Sequence, residues 1–283
     1  MRLGHQQRPA QQQEHPPDSE AKMKPPLQAD DLKYQGSGKL LNKVALISGG
    51  NSGLGRAVAI AFAKEGADIA IVYLDDHENI AQTRQMVEEE GRTCLSLFGD
   101  VANETFCQQA VQQTIDRFGK LDVLVNNATE QPPQESRENI STQELETPLD
   151  TNICAMFYMT NAALPYLKEG STIINTTSVS AYKGNEQSLD YSSTKGAIMT
   201  FTRSLSQSLE DKGIRVNGVA PGPLWTLLVP SNLPSAEVHD FGNQLSRGDT
   251  GNPEEIVPSF VFLASDESSY MAGQVVFTRS LPV

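Results

Sequence analysis

Tyr191 and Lys195 stand four residues apart in the run Tyr191-Ser192-Ser193-Thr194-Lys195. On a helix, residues at that spacing share one face, so the ammonium can sit beneath the phenol and favour the phenolate. A free tyrosine titrates near pH ~10, too high for an efficient proton carrier at neutral pH, and each unit of lowering corresponds to about 1.4 kcal/mol. Many solvated helix surfaces carry the same pair, so its meaning depends on residues elsewhere in the chain. The first such group is Ser48-Gly49-Gly50-Asn51-Ser52-Gly53-Leu54-Gly55, with glycines spaced G-x-x-x-G-x-G. Glycines between a strand and a helix permit a tight turn and let a pyrophosphate approach backbone N–H groups at the positive helix end.

The elements that must position these groups are readable from hydrophobic period. Val44–Ile47, Ile69–Val72, Leu95–Phe98, Val123–Val125, Thr172–Ile174, Arg215–Val219 and Gln274–Phe277 read as strands. Helices are expected after the glycines, at about 78–90, near 104–118, over 143–168 and from Tyr191 onward, where Ile198, Phe201, Leu205 and Leu209 form the buried stripe. Apolar strands alternating with helices predict an α/β fold: one doubly wound, mostly parallel seven-stranded sheet with helices on both faces, spanning 39–283. Residues 1–38 are rich in Gln, Pro and charge, and predict a flexible polar arm, with ordering of its last part, Leu27 to Tyr34, against the body as the alternative.

Composition narrows the function. The chain has 283 residues, 38% hydrophobic and 20% charged, with a net charge of −13. This argues against a nucleic-acid partner, because no dense Lys/Arg face exists. Cys94, Cys107 and Cys154 lie far apart, so neither disulfides nor a zinc site is expected, and the cytoplasm is the default compartment. No stretch approaches the ~18 apolar residues of a membrane span, and the first residues lack the apolar core of a secretion signal.

Further candidates lie at carboxyl ends of strands, the edge along which such sheets bind ligands. Tyr73-Leu74-Asp75-Asp76 ends the second strand, Gly99-Asp100-Val101 the third, and Asn126-Asn127-Ala128-Thr129 the fourth. The carboxylates after Tyr73, with no Arg or Lys nearby, lean slightly towards NAD over NADP. The acid usual for NAD would fall at Tyr73 itself.

With these motifs in order, residues 39 to 273 resemble the short-chain dehydrogenase/reductase family, specifically its subgroup of general-stress proteins and glucose and ribitol dehydrogenase homologues. The resemblance implies a Rossmann-type domain and a catalytic set of Asn152, Ser178, Tyr191 and Lys195. It implies a dinucleotide site made by Ser48, Gly49, Asn51, Ser52, Gly53, Leu54, Gly55, Tyr73, Asp100, Val101, Asn126, Ala128, Tyr191, Lys195, Pro221, Gly222, Leu224 and Thr226. In the implied mechanism, Tyr191 exchanges a proton with a carbonyl or alcohol oxygen and Lys195 stabilises the phenolate. Ser178 positions the substrate oxygen, and Asn152 holds a water leading to solvent. The expected activity is hydride transfer between NAD or NADP and a small aldehyde, sugar or polyol. No metal is required. The rival function is a dinucleotide-binding stress protein or sensor without turnover.

Two departures from the family pattern stand out. Thr129 replaces a small residue and stiffens the backbone there. The end, Phe277-Thr278-Arg279-Ser280-Leu281-Pro282-Val283, lacks the usual glycine turn and weakens the expectation of a homo-oligomer, tetramer or dimer. Trp225 and the segment Leu227–Leu245 read as a mobile lid, and His239 as a solvated lid residue.

Overall fold

The computed structural model describes Glu20, residues 23–74, 77–131, 141–185, 188–232, Val238 and 250–278. Seven strands form one sheet: β1 (Val44–Ser48), β2 (Asp68–Tyr73), β3 (Cys94–Phe98), β4 (Val123–Asn126), β5 (Thr172–Thr176), β6 (Arg215–Pro221) and β7 (Val275–Thr278). Their order is β3-β2-β1-β4-β5-β6-β7, and every pairing is parallel. The direction of winding reverses between β1 and β4, where Ile47 pairs with Val125, and that reversal opens a crevice at the carboxyl edge.

Alternation along the strands divides the core. Ala45, Ile47, Ile69 and Ile71 face α1 (Gly53–Lys64), while Leu46, Ala70 and Leu124 face α3 (Glu104–Phe118) on the other side. Between them in sequence lies α2 (His77–Glu89). Helix α3 starts where the Asn103 side chain accepts from the Phe106 N–H, and ends on Gly119 at φ 78°.

The single helix expected over 143–168 is divided. It comprises α4 (Thr142–Leu149), a π-helical turn (Asp150–Cys154) and α5 (Ala155–Ala163). Pro148 lies inside α4 and has no N–H to donate, and the wider hydrogen bonding follows directly after it. A one-turn α6 (Ser180–Lys183), the long α7 (Leu189–Leu209), a short α8 (Leu228–Asn232) and α9 (Val257–Ala264) complete the helices named here.

The flexible arm expected over residues 1–38 differs from what is seen between Met23 and Gly38, which is docked on the body. Met23 is 1% exposed and packs with Trp225, Leu227, Val229 and Val238. The Trp225 indole N–H donates to the Pro25 carbonyl at 2.9 Å. Further along, the Lys64 ammonium bonds the Asp30 carboxylate, and the Tyr34 hydroxyl donates to Glu65. These partners lie far away in sequence, so local composition alone could not reveal them. Residues 1–19, 21 and 22 of the expected arm lie outside the described residues.

Gly55 is where the close packing of the fold meets the glycine turn. A Cβ on Gly55 would lie 2.0 Å from the Gly49 carbonyl oxygen, so only glycine lets α1 approach β1 this closely. Gly55→Ala is expected to destabilise the protein by roughly 1–3 kcal/mol or prevent folding. Thermal unfolding of the variant checks it; an unchanged melting temperature contradicts the packing described.

Candidate active site

Helix α7 places Tyr191 and Lys195 on one face. The Lys195 Nζ lies 5.3 Å from the centre of the Tyr191 ring and donates to the Thr176 carbonyl at 3.2 Å. Thr177, the next residue after β5, donates its hydroxyl to the Lys195 carbonyl at 2.7 Å. The end of β5 therefore grips the helix at both the side chain and the backbone of one residue. Ser178 follows; its Oγ accepts from the Ser180 N–H at 3.2 Å, and the hydroxyl is near enough to the Tyr191 phenol to favour the phenolate.

The electrostatics differ from the expectation of an acidified phenol. Burial pushes Tyr191 up to about 12, and the Ser178 hydrogen bond opposes this only in part. Burial also pushes Lys195, 1% exposed, down to about 7. Both shifts have the same cause: each group loses water in its charged form. In the protein alone the two groups favour a neutral phenol beside an easily deprotonated amine.

Asn152 sits in the π-helical turn and is buried. Its Oδ1 accepts from the Thr129 hydroxyl at 3.0 Å and the Glu130 N–H at 2.8 Å. Its Nδ2 donates to the Glu130 carbonyl at 2.9 Å and the Thr194 hydroxyl at 3.2 Å. Those four bonds use the full capacity of a carboxamide. The side chain therefore has no donor or acceptor left for the water expected of it. Thr129, the departure noted in the sequence, supplies one of the four bonds.

The sheet's carboxyl edge gathers the remaining predicted residues. Gly49 and Gly53 adopt φ of 65° and 53°. The Ser48 hydroxyl accepts from the Asn127 and Ala128 N–H groups at 2.9 and 3.0 Å. Asn127 in turn donates to the Ser48 and Gly49 carbonyls, so it sets the turn, a role the sequence motif only hinted at. Asn126 donates to Asn175 and Thr160, binding β4 to β5 and α5. Asp100 is exposed and accepts from the Ala102 N–H, while Val101 is buried.

Tyr73 is buried, with its ring against His77 and Phe98 at centroid distances of 5.8 and 5.6 Å. His77 and Phe98 were missed in the sequence, where neither carries a motif. Asp75 and Asp76 lie outside the described residues, as does Gln187. At the end of β6, Pro221 accepts from the Val179 N–H; beyond it, Gly222 donates to the Thr278 carbonyl and Leu224 bridges to Gly251. A Cβ on Gly53 would touch the Thr226 side chain at 3.6 Å, so this loop faces the glycine turn across the crevice.

The expected lid needs correction at Trp225. Its indole is 0% exposed and forms a buried cluster beneath the arm, because an aromatic of that size finds Met23 and Val229 to bury against. Residues 233–237 and 239–249 of that segment, with His239, lie outside the described residues, as do Arg279–Val283.

The turn fits a dinucleotide's phosphates. Gly49 and Gly53 hold positive φ, Gly55 leaves no room for a side chain, and the turn already holds one anion, the Glu20 carboxylate on the Gly53 N–H. Among the described residues no group of three His, Cys, Asp or Glu could hold a metal, and no helix is long and apolar enough to cross a membrane.

Comparison with known proteins agrees with this geometry. Residues 49–278 match a family model described as enoyl-(acyl carrier protein) reductase. General stress protein 39 of Bacillus subtilis (strain 168) is 52% identical over 268 residues, 95% of this chain and 94% of that protein. The chloroplastic NADPH-dependent aldehyde reductase 1 of Arabidopsis thaliana is 45% identical over 273 residues, 94% of this chain and 95% of that one. A solved short-chain dehydrogenase from Burkholderia cenocepacia J2315, in complex with NADP, superposes with a TM-score of 0.81 at 27% identity, covering 86% of this chain and 99% of its own.

The depressed lysine has a consequence for stability. Between pH 7 and 10.5 the unfolded chain binds a proton at Lys195 that the folded chain does not, so this group makes stability rise with pH across that window. The penalty is complete below the folded value. Lys195→Met is expected to remove that contribution. Denaturant midpoints at pH 7 and 9 test it: the parent should gain on the variant as pH rises, and a constant gap contradicts the shift.

Proposed function

The chain belongs to the short-chain dehydrogenase/reductase family, and on that premise we propose that it exchanges hydride between a nicotinamide dinucleotide and the carbonyl or alcohol of a small aldehyde, sugar or polyol, with Tyr191 as the proton carrier. The observation that carries the reading is the Lys195 Nζ beside the Tyr191 ring, with the Ser178 hydroxyl near the same phenol, all at the strand edge that also holds the glycine turn.

A bound nicotinamide supplies or accepts the hydride and, when oxidised, adds positive charge near the phenol. Gly49, Gly53, Leu54 and Thr226 would hold the dinucleotide. Reduction then needs an acid at the carbonyl oxygen, and a phenol pushed up to about 12 stays protonated at neutral pH and donates there. Ser178 fixes the oxygen beside that proton. Oxidation needs the reverse, a phenolate, which a protonated Lys195 favours. Reprotonation runs through Lys195, whose value of about 7 suits proton exchange near neutrality.

The slight lean to NAD is not kept. It rested on Asp75 and Asp76, which lie outside the described residues, while an NADPH-dependent relative and an NADP complex both support the phosphorylated cofactor. Assembly into a homo-oligomer belongs to the same reading. Phe157 is 46% exposed and meets Phe201 edge to face at a centroid distance of 4.5 Å, and Leu145 and Leu149 are exposed as well.

Turnover of aldehydes, sugars and polyols with both dinucleotides, followed by nicotinamide absorbance, tests the proposal. Tyr191→Phe is expected to lower kcat by roughly 10²- to 10⁴-fold, with dinucleotide affinity little changed. Ser178→Ala should lower it by about 10²-fold. No turnover in the parent, or a Tyr191→Phe variant as fast as the parent, contradicts it. Sedimentation of the parent is expected to give an oligomer, and Phe157→Lys a smaller species.

A further inference from the structure

Helix α1 is capped from outside its own neighbourhood. Ser52 stands at the cap position but makes no side-chain cap bond, and the first turn contains no acid. The Gly53 N–H donates instead to the carboxylate of Glu20, thirty-three residues earlier in the chain. Glu20 is 6% exposed, and its other oxygen pairs with the Arg56 guanidinium, itself 4% exposed.

Arg56 reaches back to the same turn. Its Nε and Nη2 donate to the Asn51 carbonyl at 3.2 and 2.9 Å, and the group also binds Asn79, Gln82 and Thr83 on α2. Glu20 and Arg56 therefore hold the glycine turn at two points of its backbone, Asn51 and Gly53. A charge pair buried to this degree is costly unless each member is well bonded, which Arg56 is.

The same arm holds the opposite wall of the crevice. Three residues after Glu20, Met23 enters the cluster around Trp225, and Pro25 accepts the indole N–H. Gln28 accepts from the Asn252 side chain at 3.3 Å, next to Gly251, which bonds Pro223 and Trp225. Trp225 adjoins Thr226, whose methyl group faces Gly53.

We propose that Glu20 and residues 23–28 of the arm are part of the dinucleotide site, with Glu20 as a positioning residue that fixes the glycine turn while the Pro25–Trp225 contact fixes the wall carrying Thr226. The arm spans both jaws and sets the gap between them before ligand arrives. Binding then requires less ordering of the turn, the general route by which preorganisation raises affinity. Glu20 touches neither the reacting oxygen nor the hydride path, so its effect falls on dinucleotide binding and leaves the chemical step alone. The inference rests on the dinucleotide-binding part of the proposed function and is independent of the substrate.

The test uses the full chain and measures dissociation constants of NADH and NADPH by nicotinamide fluorescence, with KM and kcat where a substrate is found. Glu20→Ala is expected to weaken binding by roughly tenfold or more, the loss of a charge-assisted hydrogen bond. Its kcat at saturating dinucleotide should stay near the parent's. Glu20→Gln, which keeps an acceptor for the Gly53 N–H, should recover part of the affinity. Trp225→Phe keeps the bulk, loses the Pro25 bond, and should weaken binding several-fold. This variant also serves if Glu20→Ala fails to fold.

Parent-like dissociation constants in folded Glu20→Ala, or in Trp225→Phe where that is the only folded variant, overturn the proposal. Tighter binding in Glu20→Ala also overturns it, by showing that the carboxylate competes for the turn. A parent that binds dinucleotide without any turnover defeats the oxidoreductase reading and leaves this one to be decided by the same constants. A parent that binds neither dinucleotide defeats both.

Discussion

Keeping a lysine side chain out of water is the constraint around which the site is arranged. Lys195 is 1% exposed, and an ammonium in that setting needs a partner or must give up its proton. The fold supplies the Thr176 carbonyl for Nζ and the Tyr191 ring face beside it. Everything nearby serves to hold α7 at that depth. Thr177 takes the Lys195 carbonyl, and Asn152 reaches Thr194 from the π-helical turn. The interaction does not acidify Tyr191 in the protein alone. It leaves a protonated phenol beside an easily deprotonated amine, awaiting a charge beside them.

The sheet provides rigidity for this arrangement through polar side chains at its carboxyl edge. Asn126 and Asn175 bond across β4 and β5, and Asn175 continues to Thr202 on α7. Ser48 and Asn127 tie β1 to β4 at the crevice itself. Each is an internal bond between groups that would otherwise be costly to bury. The crevice is therefore bounded by fixed backbone on the β1, β4 and β5 sides. The β6 side is different: its loop is held by contacts with the arm, through Trp225 and Pro25.

Much of this was legible in the sequence, and the reasons are local. Runs such as Val44–Ile47 and Ile69–Val72 give strands because fully apolar β-branched segments have no exposed face to serve. The Tyr191 and Lys195 spacing gave one helical face, and the glycine spacing gave the turn. What escaped depends on partners distant in the chain. Glu20 and Met23 sit in a polar stretch whose composition resembles a loose tail, and only Gly53, Arg56 and Trp225 give them a place. Trp225 read as part of a mobile lid for the same reason. The division of the 143–168 helix was signalled by Pro148, which apolar periodicity overrode in the reading. The direction of the Tyr191 shift could not follow from spacing, because burial outweighs the opposing effect of Ser178 and burial is a property of the folded chain.

Titration of the Tyr191 phenol, followed as phenolate absorbance in the parent minus that of Tyr191→Phe, with and without saturating oxidised dinucleotide, bears on the central claim most directly. The account predicts that in the free protein this phenol titrates well above an ordinary tyrosine, towards about 12, and that the bound cation draws it down below the ordinary value. A phenol that titrates at or below the ordinary value before any dinucleotide is added would contradict it.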